Sequence, residues 1–327
     1  MINFFKKLSP FNILWLGVIL FAMRAGYMLN APAKGGSLFM GPFLSLWLPA
    51  GYSAFSPSLN IFIAGIIVLV QALLLNHLVN HFNLLGKPSF LAALMYVTLS
   101  GLFPPFLVLS PPLICNFLVI WMLFKLISFY KSKDAKSTAF DLGMIIALGT
   151  LIYLPFVFLF LAIWIGLVIF KSFEWRDWVA GIIGFITVFF FLAVYYYLNN
   201  NLVQFAVIWR PLASKFPQAF NINYYNYLVL VPVILILVLS FIKLQQNFYK
   251  SYIQVRKSLQ LLLIMFLIAL LSFCVKAAFQ LPHFLLCAVP ASVFFAYYFL
   301  NARRKWFYEV LFGLLLIMIV YFQFNTF

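Results

Sequence analysis

Residues 141–171 read DLGMIIALGTLIYLPFVFLFLAIWIGLVIFK, preceded by Phe140 and with Pro155 near the middle. A membrane-crossing helix rises 1.5 Å per residue and needs about 20 apolar residues, so 140–171 is long for one crossing and short for two. Proline has no backbone N–H and interrupts a helix, which offers Pro155 as the turn of a short hairpin. The choice matters beyond the segment itself, because a single crossing would invert everything that follows.

Charge decides it. Outside this stretch the apolar runs lie at about 11–29, 57–79, 89–109, 112–130, 178–198, 224–244, 258–277, 283–300 and 307–324, and the hairpin adds 140–154 and 156–171. With eleven spans and the N-terminus inside, the cytoplasmic side receives Lys6, Lys7, Lys87, the cluster Lys131, Lys133 and Lys136, then Lys171, Arg176, Lys243, Lys250, Arg256, Lys257, Arg303, Arg304 and Lys305, with Lys125 snorkelling from its span. Arg24, Lys34, Arg210, Lys215 and Lys276 remain for the outer side. A single crossing over 140–171 would put the late basic clusters outside, against the positive-inside rule. The sequence therefore predicts an all-α polytopic membrane protein of about eleven spans. It forms one membrane domain over 1–327, in the bacterial inner membrane, with a cytoplasmic N-terminus.

Composition agrees. The 327 residues are 66% hydrophobic and 8% charged, more apolar surface than a soluble fold of this length can hide. The 42 Phe, 17 Tyr and 8 Trp suit a lipid-facing exterior. A net charge of +16 suggests nucleic acid on a soluble fold, but here the cations fill gaps between apolar runs, so no nucleic-acid partner is expected. Cys115, Cys274 and Cys287 sit inside apolar runs without zinc or disulfide spacing. Residues 1–33 imitate a signal peptide, yet Arg24 interrupts the apolar stretch and an uncleaved first helix is expected. The outer segments 30–56 and 199–223 are long enough for interfacial helices carrying Trp47 and Trp209.

Chemistry in membranes usually uses carboxylates. The five acids, Asp134, Asp141, Glu174, Asp177 and Glu309, all fall at the cytoplasmic boundary beside Lys and Arg, where they read as charge balance. None is mid-span, which disfavours an ion-coupled carrier. His77 and His81, spaced i, i+4, could share a metal, but no further ligand completes a set, and a polar helix end with Asn76, Asn80 and Asn83 is the simpler reading; no metal and no cofactor is expected. The outer side holds Arg24, Lys34, Arg210, Lys215, Lys276 and His283 without an acid. Snorkelling accounts for Arg24 and Lys276. The alternative is a headgroup site for a phosphate-bearing lipid, with Arg24, Lys34, Arg210, Lys276 and His283 as contacts.

Several stretches then resemble a known group of enzymes. Ser110-Pro111-Pro112 opening a helix, Asp141 to Pro155 as a glycine-containing hairpin, Phe173-Glu174-Trp175-Arg176-Asp177-Trp178 before a span, and Gln280-Leu281-Pro282-His283-Phe284-Leu285-Leu286 followed by Pro290 resemble polyprenyl-phosphate-sugar-dependent glycosyltransferases of the GT-C fold. The whole chain also resembles a family of uncharacterised inner-membrane proteins from Bacteroidota. The likeness to the glycosyltransferases implies a GT-C-like helical arrangement, an isoprenoid-phosphate-linked sugar as ligand, and lipid-linked sugar transfer as the activity. Those enzymes carry an Asp or Glu in the first outer loop, and residues 30–56 contain none. His283 is the one candidate left to deprotonate an acceptor. Three functions follow: binding of an anionic or isoprenoid-phosphate-linked lipid at the outer leaflet, a non-catalytic scaffold holding other envelope proteins, and a transporter.

Overall fold

The computed structural model describes residues 1–29, 56–130, 134–171, 173–209, 227–275 and 281–324, and these are helical throughout with connecting turns. A short α1 (Ile2–Phe5) leads into α2 (Phe11–Leu29), followed by α3 (Pro57–His81), α4 (Leu91–Ser100), α5 (Pro111–Ser128) and α6 (Ala135–Ile152). Then come α7 (Phe160–Phe170), α8 (Trp175–Leu198), α9 (Leu202–Trp209), α10 (Leu230–Asn247), α11 (Ile253–Leu271), α12 (Ala288–Asn301) and α13 (Lys305–Phe324). Among the described residues, 9 helices are long and apolar enough to cross a membrane, and two shorter apolar helices, Leu91–Ser100 and Leu154–Phe170, occupy the other apolar runs.

The stretch around Pro155 is a turn followed by a return. Helix α6 stops at Ile152 and Tyr153 is extended, with φ −145° and ψ 106°. A 3-10 segment, Leu154–Leu159, feeds α7. Helices α6 and α8 run parallel and in backbone contact: Gly143 lies on Gly181 and Phe185, Gly184 on the Phe140 carbonyl, and Leu151 packs beside Tyr196. Two parallel helices joined in sequence need a segment that travels back between them. That segment is 154–170, whose Gly166 faces Leu126 of α5 and Leu261 of α11.

Alternation of the helices sorts the charges. The Met1 amino group meets the Glu309 carboxylate at 3.0 Å, and Lys125 meets Asp141 at 2.7 Å. The turn after α3 joins the same end, since Phe90 N–H donates to the Phe5 carbonyl. Following the chain from there, every described Lys, Arg, Asp and Glu except Arg24 lies at the end carrying Met1, here the charged end. All five Asp and Glu residues of the sequence are among them, so the opposite end carries no Asp or Glu side chain. Lys125 is ion-paired where snorkelling was expected.

Helix α12 is the hub. The window Leu281–Asn301 is 89% buried, against 17% for the α8 and α10 windows, which form the outer wall. One sequence expectation needs correction here: 89–109 is not one helix. Helix α4 ends at Ser100, and residues 101–110 continue as turns with a 3-10 element at Pro104–Phe106, because Pro104 and Pro105 cannot extend the hydrogen-bond ladder. The ends of the predicted interfacial segments are partly described: α9 lies within 199–223, whereas 30–55, which includes Trp47, and 210–226 lie outside the described residues.

Candidate functional site

Irregular backbone inside a membrane domain is tolerated only where its polar groups find partners in protein. The interrupted segment 101–110 finds them on earlier helices. Arg24 of α2 donates from Nη1 to the Leu107 carbonyl at 2.8 Å and to the Ile61 carbonyl at 3.3 Å. Asn60 of α3 accepts the Leu109 N–H at 2.8 Å through Oδ1. Gly65, with no side chain, leaves room for Leu20, Phe21 and the Arg24 methylenes to reach across α3. Below this layer Gln71 donates to the Leu113 carbonyl at 2.7 Å and accepts from the Tyr96 hydroxyl at 2.7 Å. Asn116 donates to that hydroxyl and to the Leu285 carbonyl, both at 3.0 Å, which ties the centre of the bundle to the 3-10 segment Leu281–Cys287.

Arg24 is thus neither snorkelling nor lipid-exposed; it is 2% exposed. Its Nη2 finds no hydrogen-bond partner among the described residues. A buried cation without a counter-ion is costly, and inside a membrane it marks a functional position by default.

His283 is also 2% exposed and is held from both sides. Its Nδ1 lies 2.8 Å from the Tyr153 hydroxyl, and its Nε2 lies 3.0 Å from the Ala269 carbonyl and 3.1 Å from Ser272 Oγ. A carbonyl only accepts, so Nε2 carries the proton, and Nδ1 accepts from the Tyr153 O–H. Ser272 donates to the same Ala269 carbonyl at 2.9 Å. The imidazole joins the turn after α6 to the end of α11, and its lone pair is already engaged. It is placed to fix structure more than to remove a substrate proton.

Beside this framework lies a cavity of about 400 Å³. Its walls are Leu99, Leu102, Phe103 and Phe106 of the interrupted region, Leu230, Val233 and Leu237 of α10, Phe266 and Leu270 of α11, and Phe284, Ala288 and Ala291 near the start of α12, with Tyr227 and Leu281 at the far end. The lining side chains are apolar apart from the Tyr227 hydroxyl and the Cys287 thiol. Apolar pockets of this size hold ligands whose recognised part is hydrocarbon. Phe284 faces the groove while its neighbour His283 faces Tyr153, so one short segment builds both features. Arg24 meets the interrupted segment at Leu107 and is absent from the groove lining.

Of the five residues predicted as headgroup contacts, Arg24 and His283 are described: Arg24 bonds the Ile61 and Leu107 carbonyls, and His283 meets Tyr153, Ala269 and Ser272. Lys34, Arg210 and Lys276, with Lys215, lie outside the described residues. His77 and His81 stack at 6.0 Å on the surface of the charged end beside Phe124, and no group of three metal-ligating side chains occurs among the described residues. Cys115 and Cys287 are buried and free, and the Cys274 side chain lies outside the described set. Sequence reasoning passed over Asn60, Gln71, Tyr96 and Asn116. The available signal was an amide inside a long apolar run, Asn60 and Gln71 in 57–79 and Asn116 in 112–130, since polar side chains at membrane depth are retained for a reason.

This is the architecture of a polytopic helical membrane protein. Residues 38–327 match a family of unknown function, DUF6427, and the chain belongs to that family. No curated protein and no solved structure matches it.

Proposed function

We propose that this chain is a bacterial inner-membrane protein, with its N-terminus in the cytoplasm, that binds an isoprenoid-phosphate-linked or other anionic lipid at the outer leaflet during assembly of envelope glycans or lipids. The observation that carries the reading is the apolar groove at the end without Asp or Glu. A long hydrocarbon chain fits its Phe- and Leu-lined walls, and a phosphate meets no repelling acid there. Placing the charged end in the cytoplasm follows the positive-inside rule. Lys34, Arg210 and Lys276 are the headgroup donors in this reading, with Arg24 holding the interrupted segment that walls the groove and His283 supporting the wall through Phe284.

The reading is of binding and presentation. A GT-C-like arrangement and sugar transfer would need a base at the outer end, where the chain has no Asp or Glu and where His283 Nδ1 already accepts from Tyr153. One observation favours a scaffold as the second reading: α8 turns Phe190, Phe191, Tyr195 and Tyr197 outward, a broad aromatic face suited to another membrane protein.

Native mass spectrometry in mild detergent tests the first reading, with a polyprenyl phosphate and the uncharged polyprenol of equal length as probes. The phosphate is expected to be retained about tenfold better. Filling the groove with Ala291→Trp should abolish retention of both. Equal retention of the two probes, or retention unchanged in A291W, would overturn the reading.

A further inference from the structure

The charged end carries a second crevice, between α10 and α11, of about 410 Å³. Its floor is apolar: the Phe241 and Phe294 rings pack at a tilt of 53° with centroids 5.4 Å apart, and Leu259 and Leu263 complete the wall. Its lining also includes the amides of Gln245 and Gln260, together with Phe248 and Tyr249 of the α10–α11 turn. Tyr249 and Tyr252 are 87% and 81% exposed, which places two phenols where headgroups would lie.

Four cations border this turn. Arg256 stands over the Phe248 ring with its Cζ 5.5 Å from the centroid, Lys243 reaches Gln246 Oε1 at 2.9 Å, Lys250 ends the 3-10 connection and Lys257 lies in the first turns of α11. None of the four is in an ion pair with a carboxylate among the described residues. The acids are placed elsewhere: Asp141 on Lys125, Glu309 on the Met1 amino group, and Asp134, Glu174 and Asp177 around the starts of α6 and α8.

We infer that this crevice binds a glycerophospholipid with an anionic headgroup, of the phosphatidylglycerol class, in the leaflet at the charged end. One acyl chain lies over the Phe241–Phe294 floor, and the phosphate is held by Arg256 with Lys243, Lys250 and Lys257 around it. Arg256, placed over an aromatic ring, still has N–H donors to offer phosphate oxygens. Charge complementarity selects the anionic headgroup over a zwitterionic one, since four uncompensated cations repel one another until an anion joins them. The site is independent of the groove at the opposite end and of the side of the membrane on which the charged end lies.

The test is native mass spectrometry of the delipidated full chain titrated with dioleoyl phosphatidylglycerol and dioleoyl phosphatidylcholine, which share their chains. Wild type is expected to retain the glycerol lipid about tenfold better. The preference should disappear in Arg256→Gln/Lys257→Gln and persist in Arg303→Gln/Arg304→Gln, which removes the same charge from a turn without this crevice. Leu263→Trp should weaken both lipids while leaving polyprenyl phosphate retention unchanged. Equal retention by wild type, a preference that survives R256Q/K257Q, or one lost equally in R303Q/R304Q would overturn the proposal.

Discussion

The Tyr153 hydroxyl and His283 Nδ1 meet at 2.8 Å although 130 residues separate them in the chain. The contact locks the end of α6 to the segment that opens α12, and the Ala269 carbonyl on the other side of the ring takes the Nε2 proton. Tyr153→Phe leaves Nδ1 buried without that donor, at a cost of about 1–3 kcal/mol. Thermal unfolding in detergent reads the loss, and a wild-type melting point would mean that the bond contributes nothing.

Arg24→Lys should destabilise more than its charge-conserving character suggests. One ammonium on a shorter reach cannot reproduce the guanidinium bridge to Leu107 and Ile61, and each unsatisfied buried carbonyl costs about 1–3 kcal/mol. Protease sensitivity near Gly101–Ser110 in detergent micelles would report the freed segment directly. Resistance equal to wild type would contradict the structural role.

The α6–α8 contact leaves no room for a side chain at Gly184, where a Cβ would collide with the Phe140 carbonyl. Gly184→Leu is expected to push the helices apart, with a loss exceeding the roughly 1–3 kcal/mol typical of overpacking. A disulfide scan between cysteines placed at Phe140 and Phe185 would show weaker cross-linking in the G184L background.

Single cysteines in a chain freed of Cys115, Cys274 and Cys287 test the orientation. Labels at Lys87 and Arg303 should react only after the inner membrane is opened, and labels at Asn199 and Asn201 should react from the periplasmic side. The opposite pattern would invert the assignment of the lipid groove to the outer leaflet.

Lys125 and Asp141 form an ion pair that is about a third exposed, with side chains 30% and 33% accessible. Lys125→Ala should therefore change stability by less than about 1 kcal/mol. A loss several times larger in a thermal melt would mean that the pair is screened from solvent more than its exposure indicates.

The all-helical, many-span character was legible because hydropathy acts along the chain, and the return at Pro155 could be argued from the placement of Lys243 and Arg303. The break after Ser100 was legible only in part: Gly101, Pro104 and Pro105 mark it, but the groups that satisfy its backbone, Arg24 and Asn60, stand far upstream and stayed hidden. The groove was equally hidden, since the Leu, Phe and Ala that line it are the residues that also face lipid, and helical phase carries no information when every face is apolar. His283 was visible as a polar residue in an apolar run, but its partner Tyr153 was not, because only packing brings them together.

The side chains that satisfy the interrupted segment and the start of α5 have a further property: Arg24, Asn60 and Gln71 all precede their partners at Leu107, Leu109 and Leu113. A chain made from its N-terminus therefore has α2 and α3 emerging before the non-helical stretch leaves the ribosome. The ten-residue α4 is too short to enter lipid by itself, and it can join the bilayer against helices already there. The order of residues along the gene product thus doubles as a schedule for building it.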